Sequence, residues 1–405
     1  MITRRGILAG GASALTLSAG VRRASAQATP GVTTTELKIG NTMPYSGPAS
    51  SYGAIGKTET AYFKMLNDQG GIAGRKINFI SLDDGYLPPR TVEDIRRLVE
   101  EEQVDFVFQT LGTPTNSAIE RYLNQHKVPH LFVATGADKW GNYKQFPWTI
   151  GLQPSYRTEA QIYAKYILAQ NNQPKIAFLY QNDDFGKDYL TGVRDTLGND
   201  WDKLVVKTAS YEATDPTVDS QLTSLQSSGA DVLIVAAAPK TAAQAIRGVH
   251  ELNWKPLFFM TNVSISAGSV MQPAGAENGI GIITSGYLKD NTDSAWANDA
   301  GMNEWRGFMA KNMAGADLTD NNYVYGYLAS KVIHHVLEAC NGDFSRENVM
   351  KQATSIQPME VPVLLPGIKV TTSPTNYHPI QAMQLQKWNG KTWERFGEVI
   401  EGVKT

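Results

Sequence analysis

The chain has 405 residues, 42% hydrophobic and 19% charged, with a formal charge of −2. That length exceeds what one hydrophobic core usually organises, so two domains are expected. Residues 1–28 carry Arg4, Arg5, Arg22 and Arg23 and no acidic residue. Without them the balance is 33 basic against 39 acidic residues, which leaves no electrostatic case for nucleic acid or an anionic membrane surface as a partner.

Residues 1–28 read as an export signal peptide. Thr3-Arg4-Arg5-Gly6-Ile7-Leu8 leads into a weakly apolar Gly/Ala/Leu stretch and the small-residue sites Ala24-Ser25-Ala26 and Ala26-Gln27-Ala28, with cleavage expected after Ala28 or Ala26. The arginine pair and modest hydrophobicity resemble a twin-arginine signal; a general secretory signal is the alternative. No run of about 20 apolar residues follows position 28, so no membrane insertion is expected. The only cysteine, Cys340, has no intramolecular partner and lies too far along to carry a lipid beside the cleavage site. A Gram-negative periplasm is the expected compartment, and Cys340 reads as a packed core residue of a helical stretch.

In chain order, Leu37–Gly40 reads as a strand and Pro44-Tyr45-Ser46-Gly47-Pro48 as a turn. A helix follows from about Gly53, with Ala54, Ala61, Met65 and Leu66 on one face, and Gly70-Gly71 stops it. Ile77–Leu82 is the next strand. Asp83-Asp84-Gly85 and Pro88-Pro89 read as a loop, and Val92, Ile95 and Val99 mark a second helix. Val104–Phe108 and His130–Val133 are further strands with a helix between them. Strand and helix in alternation predict right-handed crossovers and a parallel sheet.

The pattern restarts after about residue 153 with short apolar runs at Ile176–Tyr180, Leu204–Val206, Val232–Val235, Leu257–Phe259 and Ile280–Ile283. Such runs suit strands covered on both faces, so a second sheet of the same design is expected. Beyond about residue 286 the chain adds a long helix, Tyr323 to Cys340, and the strand-like Ala382–Leu385 with a turn at Asn389-Gly390. These segments read as additions to existing lobes. The fold class is thus α/β, with two Rossmann-like lobes that exchange chain more than once through a hinge and leave a cleft between them. The expected division is 33–152 plus 286–379 for the first lobe and 153–285 plus 380–405 for the second.

Catalytic and cofactor motifs are missing from the sequence. Gly56-Lys57-Thr58 resembles the end of a phosphate loop, but the leading glycine would fall at Ser51. Gly279-x-Gly281 lacks the third glycine of a dinucleotide fingerprint. No Gly-x-Ser-x-Gly elbow, His-Glu-x-x-His pair or cysteine cluster occurs. The adjacent His334 and His335 point about 100° apart on a helix, poor geometry for one metal. Asp83-Asp84 and Asp183-Asp184 each end a strand, where aspartate commonly caps or turns the chain. No catalytic residue, metal or cofactor is expected.

Ser46-Gly47-Pro48, Tyr52-Gly53, Asn67-Asp68-Gln69-Gly70-Gly71-Ile72-Ala73-Gly74-Arg75 and Asp83-Asp84 closely resemble the opening of the leucine/isoleucine/valine-type periplasmic binding proteins of ABC transporters. The likeness runs through Tyr180-Gln181-Asn182-Asp183-Asp184-Phe185-Gly186 to the last strand. It implies two lobes joined by three crossovers that close on a small-molecule ligand and present it to permease subunits in the inner membrane.

The resemblance also implies site residues. The hydroxyl that holds a ligand carboxylate falls on Thr113, an adjoining backbone contact on Gly136, and a second hydroxyl position is occupied by Asp138. The second lobe's aromatic wall is Phe185, Tyr52 matches a first-lobe aromatic, and another aromatic contact falls near Ala238 or Pro239. The acidic partner of an amino acid's ammonium aligns with Asn262. Burying an ammonium without its carboxylate costs several kcal/mol, so an α-amino acid in the usual pose is disfavoured. A more apolar or aromatic solute is expected, with Tyr86 or Trp140 as further stacking walls and Arg157 as a cation for an acid. The expectation is a non-catalytic solute receptor of an ABC importer for an amino acid-like compound, an aromatic or short-chain acid, or an amide. The alternatives are a periplasmic sensor of small amides or acids and, against the missing nucleophile, a secreted hydrolase.

Overall fold

The computed structural model describes residues 29–402, so the expected signal peptide lies outside the described residues. The first half contributes β1 (Glu36–Met43), β2 (Lys76–Asp83), β3 (Phe106–Phe108), β4 (His130–Val133) and β5 (Thr149–Gly151). They form a parallel sheet in the order β2-β1-β3-β4-β5, with Ile39 opposite Phe79 on one side and Phe106 on the other. Every residue of β3 and β4 is buried, because helices cover both faces. The connections are α1 (Gly53–Asp68), α2 (Pro88–Arg96) and α3 (Thr113–Gln125).

Two local readings need correction. Pro88-Pro89 opens α2 instead of extending the loop, since proline at the first helical positions gives up only N–H groups that have no intrahelical acceptor. β5 has no counterpart in the sequence pattern, because three residues with one large apolar side chain carry no periodicity.

The second sheet contains β6 (Ile176–Gln181), β7 (Val205–Tyr211), β8 (Val232–Ala236), β9 (Leu257–Met260), β10 (Ile283–Gly286), β11 (Ala382–Trp388) and β12 (Trp393–Glu401). Its order is β12-β11-β10-β9-β8-β6-β7. Strands β6 to β10 pair in parallel, while β11 runs antiparallel to both β10 and β12. Of the run Ile280–Ile283 only Ile283 is strand: Gly281 has φ +95° and Ile280 is 61% exposed.

The helix Asn322–Ala339 packs on α1, and Arg346–Ala353 packs against that helix. Its Val324, Leu328, Val332 and Val336 are fully buried, and a Cβ on Gly326 would stand 2.8 Å from Thr58, so glycine is what lets the two helices approach. Helices built from residues after 300 thus complete the lobe of the first sheet, although β10 before them and β11 after them belong to the second. The chain therefore passes between lobes after β5, after β10 and before β11. Cys340, at the C-terminal cap of this helix, is buried, and burial pushes its thiol up to about 12. His334 bonds through Nδ1 to the Tyr62 hydroxyl at 3.0 Å, and among the described residues no cluster of side chains suits a metal.

Candidate ligand-binding cleft

The first-lobe wall is set by turn chemistry at the strand ends. Tyr86 adopts a left-handed conformation, φ +64°. Asp84 holds it there: Oδ1 accepts the Tyr86 N–H at 2.9 Å and Oδ2 accepts the Thr91 hydroxyl at 2.8 Å. Asp83 accepts the N–H groups of Tyr45, Ser46 and Gly85. Both carboxylates are therefore turn ligands, in keeping with aspartate's habit at loop starts. Gly112 precedes α3 with φ +99°, and a Cβ there would run into the Tyr86 ring. Thr113 opens α3, its hydroxyl 2.5 Å from that of Thr135.

The second-lobe wall begins at α5 (Asp184–Leu197), which Asp183 caps by accepting the N–H groups of Phe185 and Gly186. The cap fixes the first turn and with it Phe185, whose ring lies 4.9 Å from Tyr156 and 5.8 Å edge-on to Tyr189. Asn262 follows β9 and is held from behind by Glu159 of α4 (Tyr156–Gln170). Glu159 accepts the Asn262 backbone N–H at 3.0 Å and its side-chain Nδ2 at 2.5 Å. The Ser285 hydroxyl donates to it at 2.7 Å, and the hydroxyls of Tyr163 and Tyr189 also bond it. Burial pushes the Glu159 carboxyl up, and these hydrogen bonds pull it back.

The walls enclose a narrow cavity of about 70 Å³, room for roughly five waters at about 10–15 Å³ each. Its lining includes the aromatic rings of Tyr52, Tyr86, Tyr156, Phe185, Tyr287, Tyr325 and Trp393 among aliphatic and polar groups. Among the described residues that line it, Asp290 is the one carboxylate, and there is no Lys, Arg or His. Burial pushes the Asp290 carboxyl up, while the Thr292 N–H and hydroxyl bond its two oxygens. The lobes are joined across the cleft by Tyr52, whose hydroxyl donates to the Val263 carbonyl at 3.1 Å, and by Gln181, which donates to the Tyr86 hydroxyl at 3.2 Å.

Of the residues singled out from sequence, Tyr52, Tyr86, Thr113, Phe185, Ala238 and Asn262 line this cavity. Four others do not, and each has a physical reason. Gly136 gives its carbonyl to the Tyr156 N–H at 2.7 Å and abuts Pro154 and the Tyr156 ring, so it ties the first lobe to the first crossover. Trp140 is 1% exposed and sits in the core. Arg157 lies outside the cleft, its Nε 2.5 Å from Asp195 and Nη1 3.7 Å from Asp138. Asp138 faces a second cavity at the hinge, where it accepts the Ser155 hydroxyl at 2.7 Å.

Sequence reading missed the crossover residues Gln153, Tyr156, Ser285 and Tyr287, together with Asp290 and Tyr325. Ser155 caps α4, a signal that would have marked the crossover beside it. Nothing local marks Ser285 or Tyr325.

Two parallel-sheet lobes joined by three chain passages, with an aromatic cleft between them, define a two-lobed solute-binding protein. A family model described as periplasmic binding protein matches residues 36–392, and the chain belongs to that family, in its leucine/isoleucine/valine type. Leu/Ile/Val-binding protein homolog 7 of Brucella suis biovar 1 (strain 1330) is 23% identical over 371 residues, covering 87% of this chain and 89% of that protein. Among solved structures, a branched chain amino acid ABC transporter protein from Thermus thermophilus with bound valine superposes with a TM-score of 0.82 at 13% identity, covering 92% of this chain and 98% of that one. A solute binding protein of an R. palustris ABC transporter, in complex with 4-hydroxybenzoate, superposes with a TM-score of 0.75 at 18% identity, covering 91% and 97%. At these identities the structural likeness shows the fold, and the bound molecules belong to those proteins alone.

Proposed function

We propose that this chain is the solute-binding receptor of an ABC importer, exported by its first 28 residues to the periplasm, and that it closes on a small neutral or aromatic solute which it leaves chemically unchanged. Strand pairing supports a division into 33–152 plus 286–379 and 153–285 plus 380–405, with closure turning about the three passages. Tyr52, Tyr86 and Thr113 contact the solute from the first lobe and Phe185, Ala238 and Asn262 from the second. Closure is driven by the extra contacts the solute makes when both walls reach it, and the closed shape is what inner-membrane permease subunits read.

The observation that carries the ligand class is the lining itself: aromatic rings and polar groups of which Asp290 alone is acidic, both its oxygens already bonded by Thr292, with no cation. An α-amino acid in the family's usual pose would set its ammonium against Asn262, a neutral amide. A carboxylate would find the N-terminus of α3, which offers partial charge only, and neutral hydroxyls such as that of Thr113, but no full positive charge. Among the described lining residues there is no His or Cys.

A thermal-shift screen of amino acids, aromatic acids, short-chain acids and amides tests this, since a ligand of the folded state raises the melting temperature. Branched-chain amino acids should shift it less than at least one solute lacking an α-amino group. A strong leucine response with none from the acids or amides would refute the ligand class.

A further inference from the structure

We infer that Glu159, one layer behind the cleft, fixes the side-chain amide of Asn262 with its carbonyl oxygen toward the ligand, so that the second lobe selects solutes presenting an N–H or O–H donor there, above all a primary amide. The inference rests on the cleft being the solute site.

A side-chain amide has a donor end and an acceptor end, and its orientation follows from what it faces. Here Nδ2 lies 2.5 Å from Glu159 Oε2, and the backbone N–H of the same residue lies 3.0 Å from Oε1. The backbone bond identifies the carboxyl as the acceptor. The opposite flip would press Oδ1 against an oxygen of a carboxyl that already accepts from Ser285, Tyr163, Tyr189 and the Asn262 backbone, and whose ionised form has no proton to give. Glu159 has no freedom to turn away: it is fully buried and also bonded by Ser285, Tyr163 and Tyr189. Among the described residues Oδ1 of Asn262 receives no hydrogen bond and is not among the sealed, unpartnered atoms, and Asn262 lines the cavity. The acceptor end is therefore free and faces the ligand. Glu159 never touches the solute and acts as a positioning residue.

The test compares pairs of near-equal shape, benzamide with acetophenone and isobutyramide with 3-methyl-2-butanone, in which the ketone replaces the NH2 by a methyl. Binding is read by calorimetry. The wild type should bind the better amide roughly tenfold or more tighter than its ketone, because the ketone leaves Oδ1 unpaired. In Glu159→Gln, the new amide oxygen takes the Asn262 N–H and its NH2 attracts Oδ1, so Asn262 turns its donor to the cleft and the preference falls to parity or reverses. Tyr163→Phe removes another partner of Glu159 but leaves the amide held; it should lower the melting temperature and keep the preference. In ligand-free protein, NMR should show one slowly exchanging Asn262 side-chain proton, lost in Glu159→Gln. Equal binding of amide and ketone by the wild type, or an unchanged preference in Glu159→Gln, would overturn the inference, as would fast exchange of both protons. If no amide binds while the NMR signature persists, donor selection falls; the receptor reading is then decided by the wider screen.

Discussion

Asp188→Asn should tighten ligand binding at neutral pH and flatten its pH dependence. Asp188 lies on α5 of the second lobe and accepts the backbone N–H of Asp138 from the first at 2.7 Å. Burial, aided by Asp138 and Asp184, pushes its carboxyl up to about 7 from an ordinary 3.8, against the opposing pull of that N–H and of Arg157. A carboxyl whose pKa is higher in the folded protein than in the unfolded chain takes up a proton on folding, and also on closure to the extent that separating Asp188 from Asp138 returns it to water. Its favourable contribution is fully present below about pH 4 and is lost as pH rises through about 7. A shift of about three units corresponds to about 4 kcal/mol; partial solvent contact and the adjacent Arg157 reduce this to about 1–2 kcal/mol. Wild-type affinity and melting temperature should therefore fall from pH 5 to pH 8. Asparagine keeps an acceptor for the Asp138 N–H and never ionises, so the variant should bind about fivefold or more tighter than wild type at pH 8 and match it at pH 5. Calorimetry and thermal melts of both proteins across that range decide the matter. Parallel pH profiles for the two would refute the assignment, and a variant weaker at every pH would show that the charge stabilises closure.

Phe185→Ala should weaken binding roughly tenfold or more while the protein stays folded, because the ring meets Tyr156 and Tyr189 at the cleft surface; calorimetry with circular dichroism checks it. Gly112→Ala should cost about 1–3 kcal/mol and abolish binding together, since a Cβ at φ +99° displaces the Tyr86 ring; denaturant melts and a binding titration read both losses. Tyr52→Phe removes the interlobe bond to Val263 and should lower affinity about fivefold with little change in melting temperature. Arg157→Ala should leave affinity for aromatic acids unchanged, because its guanidinium is committed to Asp195 and Asp138 outside the cleft; a loss in titration would return it to the site.

What was legible in the sequence was what repeats locally. Apolar runs and their spacing marked most strands of both sheets and the long helix over Asn322–Ala339, since burial on both faces writes itself into neighbouring residues. Motif likeness brought Tyr52, Thr113, Phe185, Ala238 and Asn262 to the cleft, and two cleft aromatics follow strand ends whose turn chemistry is itself local, with Asp84 before Tyr86 and Asp183 before Phe185. The three-residue β5 and the crossover residues that line the cleft, Gln153, Tyr156, Ser285 and Tyr287, were not legible, because their roles are defined by partners far along the chain.

The sequence by itself determined the two-sheet α/β design and the lack of catalytic motifs, which depend on residue types and spacing, while Asn262 at the ammonium position is what the family resemblance implies. Only the tertiary structure decided that Arg157 and Asp138 turn from the cleft toward each other, that Trp140 is core, and that Asn262 leans on Glu159, 103 residues earlier in the chain. A side chain's charge is visible in its letter, but its direction is settled by whichever partner the fold brings within hydrogen-bonding distance.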